Sequence, residues 1–72
     1  SQAEMEAELF GTSIIDALNE KNAADRISNL QKINAPSENA KAVVAMLLSA
    51  ESIGNEILKA QIFKFPITFL LL

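Results

Sequence analysis

The sequence contains no cysteine, histidine, tyrosine or tryptophan among its 72 residues. Without cysteine it forms no disulfide, and without cysteine or histidine it has none of the ligands of an ordinary zinc site. The same absences remove the common general bases and the thiol nucleophile. We therefore expect a protein that is not an enzyme, with no catalytic, cofactor-binding or metal-binding residues and no evident small-molecule substrate.

Basic residues are also few, and the net charge is −3. No two basic residues are adjacent, so the chain lacks the positive cluster that neutralises phosphates, and nucleic-acid binding is not expected. We interpret the alternating acids near the N-terminus as a solvated helix start: Glu4, Glu6 and Glu8. We interpret the basic residues of the first half as a solvated helix face: Lys21, Arg26 and Lys32.

The N-terminus shows no signal-peptide pattern, since it is acidic where such a peptide is basic and then apolar. The chain starts with serine, which indicates a processed product or a piece of a longer helical protein. The compartment in which the protein works is not predicted.

Glycine and proline are scarce, with two of each, while half of the residues are hydrophobic, and this composition favours helices. The first predicted helix covers residues 2–10. Gly11 then predicts a break or bend, because Met5 and Leu9 lie on a different helical face from Phe10 and Ile14. Residues 13–16 resemble a capping box that begins a new helical segment.

Two further helices are predicted from their caps, one after Asn22 and one after Ser37. Pro36 separates them, because proline disfavours helical geometry in the residue before it. The third helix carries an apolar stripe and is predicted to be the buried centre: Ala40, Val43, Val44, Leu47 and Leu48. Near Gly54 the helix either continues or breaks and restarts near Ser52. The predicted fold is all-α, a small bundle of three to four short helices over residues 1–62.

Residues 63–72, FKFPITFLLL, form a predicted apolar C-terminal arm. The run is too short to span a bilayer, and Pro66 interrupts a helix. Its period-two alternation favours an extended segment that needs an apolar surface to lie on. That surface is predicted to be the bundle itself or a partner, with a membrane surface as the less favoured choice.

The predicted function is a non-enzymatic interaction or assembly module whose partner is another protein or a second copy of the chain. The interaction residues are predicted in the arm and on the third helix: Phe63, Phe65, Ile67, Phe69 and Leu71, received by Val44, Leu47 and Leu48. The alternatives are a small membrane-active or lipid-binding protein, and a fragment of a larger helical protein.

Overall fold

The computed structural model describes residues 1–65 and Leu70. These residues form four α-helices and contain no β-strand, which confirms the predicted all-α bundle. In chain order the helices are α1 (Gln2–Leu18), α2 (Ala23–Gln31), α3 (Glu38–Ile53) and α4 (Glu56–Ile62). Helix α4 ends where the predicted arm begins, and the predicted contact residues Ile67, Phe69 and Leu71 lie outside the described residues.

The predicted caps of α2 and α3 are confirmed. The side chain of Asn22 accepts a hydrogen bond of 3.0 Å from the backbone amide of Asp25. The hydroxyl of Ser37 accepts one of 3.1 Å from the amide of Ala40. Each cap pairs an amide that has no partner inside the helix, so both helices begin where the sequence indicates.

The predicted break at Gly11 is wrong, because α1 is continuous from Gln2 to Leu18. One stripe of this helix is buried: Ala7, Phe10, Ile14 and Ala17. Met5 and Leu9, which the predicted bend would have turned toward the core, are exposed instead. Ser13 does not cap a new segment either, since its hydroxyl donates to the Leu9 carbonyl one turn earlier, at 2.9 Å.

Gly54 does break the helix. It has φ of 68° and ψ of 33°, the left-handed geometry that glycine adopts at little cost, and it ends α3. The amide of Asn55 donates back to the Ala50 carbonyl at 2.8 Å, and the Asn55 side chain caps α4 through the Leu58 amide at 3.0 Å. Of the two predicted alternatives the break is therefore confirmed, but the restart comes at Asn55 and not near Ser52.

Each helix packs against its neighbour in sequence, α1 on α2, α2 on α3 and α3 on α4. Among these four helices, the backbones of the other pairs do not approach closely. The core runs along the shared faces and has Leu30 and Leu47 as its largest fully buried side chains. This serial packing leaves α1 separated from α3 and α4 by a gap that side chains alone must fill.

Candidate functional site

An apolar cavity of about 200 Å³ lies between α1, α3, the end of α4 and the segment that follows it. Every described residue in its wall is either apolar or glycine: Gly11, Ile14, Ile15, Val43, Leu47, Ile62, Phe63, Phe65 and Leu70. The cavity follows from the serial packing, because the helices on its two sides do not touch at the backbone. It is the first candidate site of the molecule.

Helix α1 contributes Gly11, Ile14 and Ile15 to this wall. Residues three and four positions apart share a helical face, so the three positions are neighbours on the side of α1 that looks into the cavity. Two of them carry branched side chains and the third carries none. Gly11 therefore leaves space in the wall that any other residue at this position would occupy.

The opposite wall is formed by the segment after α4. Phe63 and Phe65 line the cavity although 52% and 51% of their surfaces remain exposed. Leu70 is half-buried and packs against the core. Its carbonyl accepts a hydrogen bond of 2.9 Å from the Ser37 hydroxyl, the group that also caps α3. Ser37 thus joins Leu70 to the start of α3.

The predicted interaction residues are distributed unevenly around the cavity. Phe63, Phe65 and Leu47 lie in its wall. Val44 and Leu48 are half-buried and pack on the core cluster without being among the residues that line the cavity. The pairing of the arm with this surface stays a prediction. Leu70 was assigned to the other face of the arm, and the period-two pattern gave no signal for its contact with the core.

The structure contains a second site, which is polar and was not predicted from the sequence. Glu51 is a buried carboxylate on α3, with 1% of its side chain exposed. Arg26 of α2 donates to it from Nε at 2.8 Å, and Lys59 of α4 donates from Nζ at 2.5 Å. Arg26 also donates to the Glu20 carbonyl at 2.8 Å, and Lys59 lies 3.0 Å from Glu56. We call Arg26, Glu51 and Lys59 the ion cluster; it joins three helices.

The ion cluster determines the charge states of its members. Burial acts to raise the pKa of the Glu51 carboxyl, but hydrogen bonds and charges from Lys59 and Arg26 outweigh it and lower the pKa below its ordinary value of 4.5. The hydrogen bond to Glu51 raises the pKa of Lys59 above its ordinary 10.5, although burial opposes the rise. Glu51 and Lys59 are therefore charged at neutral pH, and each buried polar side-chain atom of the described residues is hydrogen-bonded.

The sequence did contain a signal for the ion cluster. Glu51 follows Ala40 and Leu47 at helical spacing, so the apolar stripe of α3 continues into an acidic residue. A carboxylate on a buried face needs cationic partners. The interpretation of Arg26 as part of a solvated face is wrong for that reason, because its side chain turns inward and is 20% exposed.

Comparisons with protein-family models, with curated proteins and with solved structures find no significant match to the chain. In the part of the chain that the structure describes, no helix has the length and apolar character needed to cross a bilayer. Within the same residues, no group of acidic side chains is placed to hold a metal ion. The features from which a function can be inferred are the cavity, the residues after α4 that line it, and the ion cluster.

Proposed function

We propose that the chain is a non-enzymatic assembly module that associates with a second copy of itself by exchanging its C-terminal segment. The observation that supports this proposal is the position of Leu70. Its side chain packs against the core, and its carbonyl accepts a hydrogen bond of 2.9 Å from the Ser37 hydroxyl. Leu70 lies in the wall of the cavity between α1 and α3, beside Ile14 and Leu47. In an exchanged dimer an identical segment from another copy makes the same contacts.

Exchange is a low-cost route to a dimer, because every contact made between copies already exists within one copy. Only the connection between α4 and Leu70 has to adopt a new course. The aromatic residues of that connection, Phe63 and Phe65, are about half exposed. Bringing two such segments together removes apolar surface from water at roughly 25 cal/mol per Å², before the entropy cost of association.

The first test is the molar mass of the full chain, measured by sedimentation equilibrium over a wide concentration range. We expect a dimer that dissociates on dilution. Ser37→Asp is the sharpest variant, because its carboxylate still caps the Ala40 amide but cannot donate to the Leu70 carbonyl. Ser37→Thr retains both roles and is the matched control. Because the closed monomer and the exchanged dimer contain this bond equally, the Asp variant should exchange chains between dimers faster than the Thr variant, at equal helix content and with little change in the dimer dissociation constant.

The second test uses the absence of native cysteine. A chain carrying Ser37→Cys is mixed with a chain carrying Leu70→Cys, and the mixture is oxidised. The Ser37 hydroxyl lies 2.9 Å from the backbone carbonyl of Leu70, which makes the two residues neighbours in space. Exchange predicts a covalent dimer containing one chain of each kind, in excess of the dimers that each chain forms alone.

Two results would contradict the proposal. One is a monomeric mass at every concentration together with no mixed disulfide. The other is a monomer that binds anionic or neutral phospholipid vesicles through its exposed apolar side chains. Replacing Phe63 and Phe65 by serine would then abolish vesicle binding, and the membrane-active alternative would take the place of the assembly module.

A further inference from the structure

We infer that the apolar cavity is a binding site for a small neutral ligand, the size of a single aromatic ring or a short alkyl chain. This inference goes beyond the proposed self-association and does not depend on it. The cavity wall is formed by the bundle together with Phe63, Phe65 and Leu70, whichever copy of the chain supplies that segment.

The first argument is the identity of residue 11. A glycine inside a helix costs about 1 kcal/mol relative to alanine, and α1 continues through Gly11 without a bend or a left-handed residue that requires it. Backbone geometry therefore does not explain the glycine. Its place in the cavity wall is the other feature of this position, because on the helical wheel residue 11 lies between Ile14 and Ile15, which also line the cavity. Local departures from the best helix former are expected at functional sites.

The second argument is the chemistry of the wall. No described lining residue carries a charge or a polar side chain, so an ionised ligand would lose its hydration without gaining a partner. A cavity of about 200 Å³ is somewhat larger than an engineered apolar cavity of about 150 Å³ that stays dry and binds benzene. Size and polarity together select a neutral apolar molecule containing few heavy atoms.

The third argument is access. Ile15, Phe63 and Phe65 line the cavity and are also exposed, so they form a rim that connects it to solvent. Deeper in the cavity the wall consists of buried side chains: Ile14, Val43, Leu47 and Ile62. A ligand can thus enter past the rim and reach an interior lined by these apolar side chains.

The experiment is a titration of the full chain with toluene, followed by NMR of the isoleucine, valine and leucine methyl groups. Benzoate has nearly the same shape and a negative charge, and it is the matched control ligand. We expect saturable shifts at Ile14, Val43, Leu47 and Ile62 with toluene, and none at the same concentrations of benzoate. Sedimentation of the same samples shows whether toluene changes the oligomeric state.

Two variants locate the site. Gly11→Leu places a side chain in the cavity, and we expect it to weaken toluene binding by about tenfold or more, the equivalent of 1.4 kcal/mol. Thr12→Leu adds the same side chain at the next, exposed position and should bind toluene like the unmodified chain. If Gly11→Leu does not fold, Gly11→Ala provides the smaller filling and must weaken binding in the same direction.

The inference is overturned by absent or non-saturable shifts, by equal responses to benzoate, or by undiminished binding in a folded Gly11 variant. Shifts confined to the exposed Ile53 and Ile57 would also overturn it, since they mark binding to surface residues. Because toluene binding and dimerisation are read separately, a monomeric chain that binds toluene disproves only the assembly proposal. A dimer that does not bind toluene disproves only the ligand site.

Discussion

Two regions along the buried face of α3 differ in what fills them. At the C-terminal end, the ion cluster fills the junction of α2, α3 and α4 with a buried carboxylate and two cations at hydrogen-bonding distance. One turn earlier, at Leu47, the same face looks toward α1 across a cavity of about 200 Å³ whose described lining residues carry no polar side chain. The first junction admits one arrangement, because any shift leaves a buried charge without its partner. The second is incompletely filled, and apolar packing imposes no single occupant.

This difference separates the elements that specify the fold from those available for binding. The free energy of unfolding of a domain of 72 residues is about 4 to 11 kcal/mol, so such a domain tolerates few unfilled spaces. Among the described residues, the cavity of about 200 Å³ lies where α1 meets α3 and the residues that follow α4. Lys59 meanwhile ties α4, a helix of only seven residues, to Glu51. We expect changes at the ion cluster to affect folding and changes at the cavity to affect binding.

The largest expected effect is at Glu51. Glu51→Gln leaves Arg26 without its anion and Lys59 with only the exposed Glu56, and removing one partner of a buried ion pair costs about 3 to 5 kcal/mol. Urea denaturation followed by circular dichroism should show a loss of that size, a large part of the total stability. The side chains of Arg26 and Lys59 remain in place and glutamine has nearly the volume of glutamate. The loss of stability therefore comes from uncompensated charge and not from a change in volume.

Glu56→Gln is the matched control for that experiment. Glu56 also pairs with Lys59, but 76% of its side chain is exposed. Exposed pairs contribute about 0 to 1 kcal/mol, so this variant should unfold within that range of the parent. Equal losses for Glu51→Gln and Glu56→Gln would show that burial of the ion cluster does not set it apart from an exposed ion pair.

The next effect is a dependence of stability on pH. The pKa of Glu51 is lowered in the folded state, so unfolding takes up a proton, and the stabilisation is present above the ordinary pKa of 4.5 and lost as pH falls through the folded value. The pKa of Lys59 is raised, so its contribution is present below 10.5 and lost as pH rises through the folded value. Urea midpoints should fall in acid, and Glu51→Gln should flatten that acid limb.

Helix boundaries could be predicted from local chemistry, but the partners of α3 could not. The caps at Asn22 and Ser37 depend on one side chain and an amide three residues later, and both were predicted correctly. The ion cluster joins residues 25 and 8 positions apart, and its geometry follows from the way the helices cross. A stripe that ends in Glu51 indicates a need for cations without identifying Arg26 and Lys59 as the source.

The failed prediction at Gly11 has the same origin. Helical spacing correctly placed Met5 and Leu9 away from Phe10 and Ile14, but it cannot show which apolar residues the protein leaves exposed. The cavity likewise depends on the distance between α1 and α3, which no spacing within one helix encodes. Phe63, Phe65 and Leu47 were predicted as interaction residues because they are hydrophobic, and they lie in the cavity wall. Gly11 also lies there, but the sequence was interpreted only as placing a helix breaker at that position.

The smallest expected effects come from the two glycines, Gly11 within α1 and Gly54 at the end of α3, and they should have opposite signs. Gly11→Ala places a good helix former within α1 and should stabilise the chain by about 0.4 to 1 kcal/mol. Gly54→Ala forces a side chain into a φ of 68° and should destabilise it by about 1 kcal/mol. Urea denaturation of both variants measures the pair under one set of conditions.

The strain at Gly54 is local, since a Cβ there meets no atom within 4 Å. The loss of stability in Gly54→Ala therefore measures the backbone strain at the turn that brings Lys59 close to Glu51, and not a steric clash. If Gly11→Ala gains stability while toluene binding weakens, α1 gives up helix stability to keep the cavity open. If Gly11→Ala instead destabilises the chain, the wall has no room for a methyl group, and the contrast between a filled junction at Glu51 and an unfilled one at Leu47 fails.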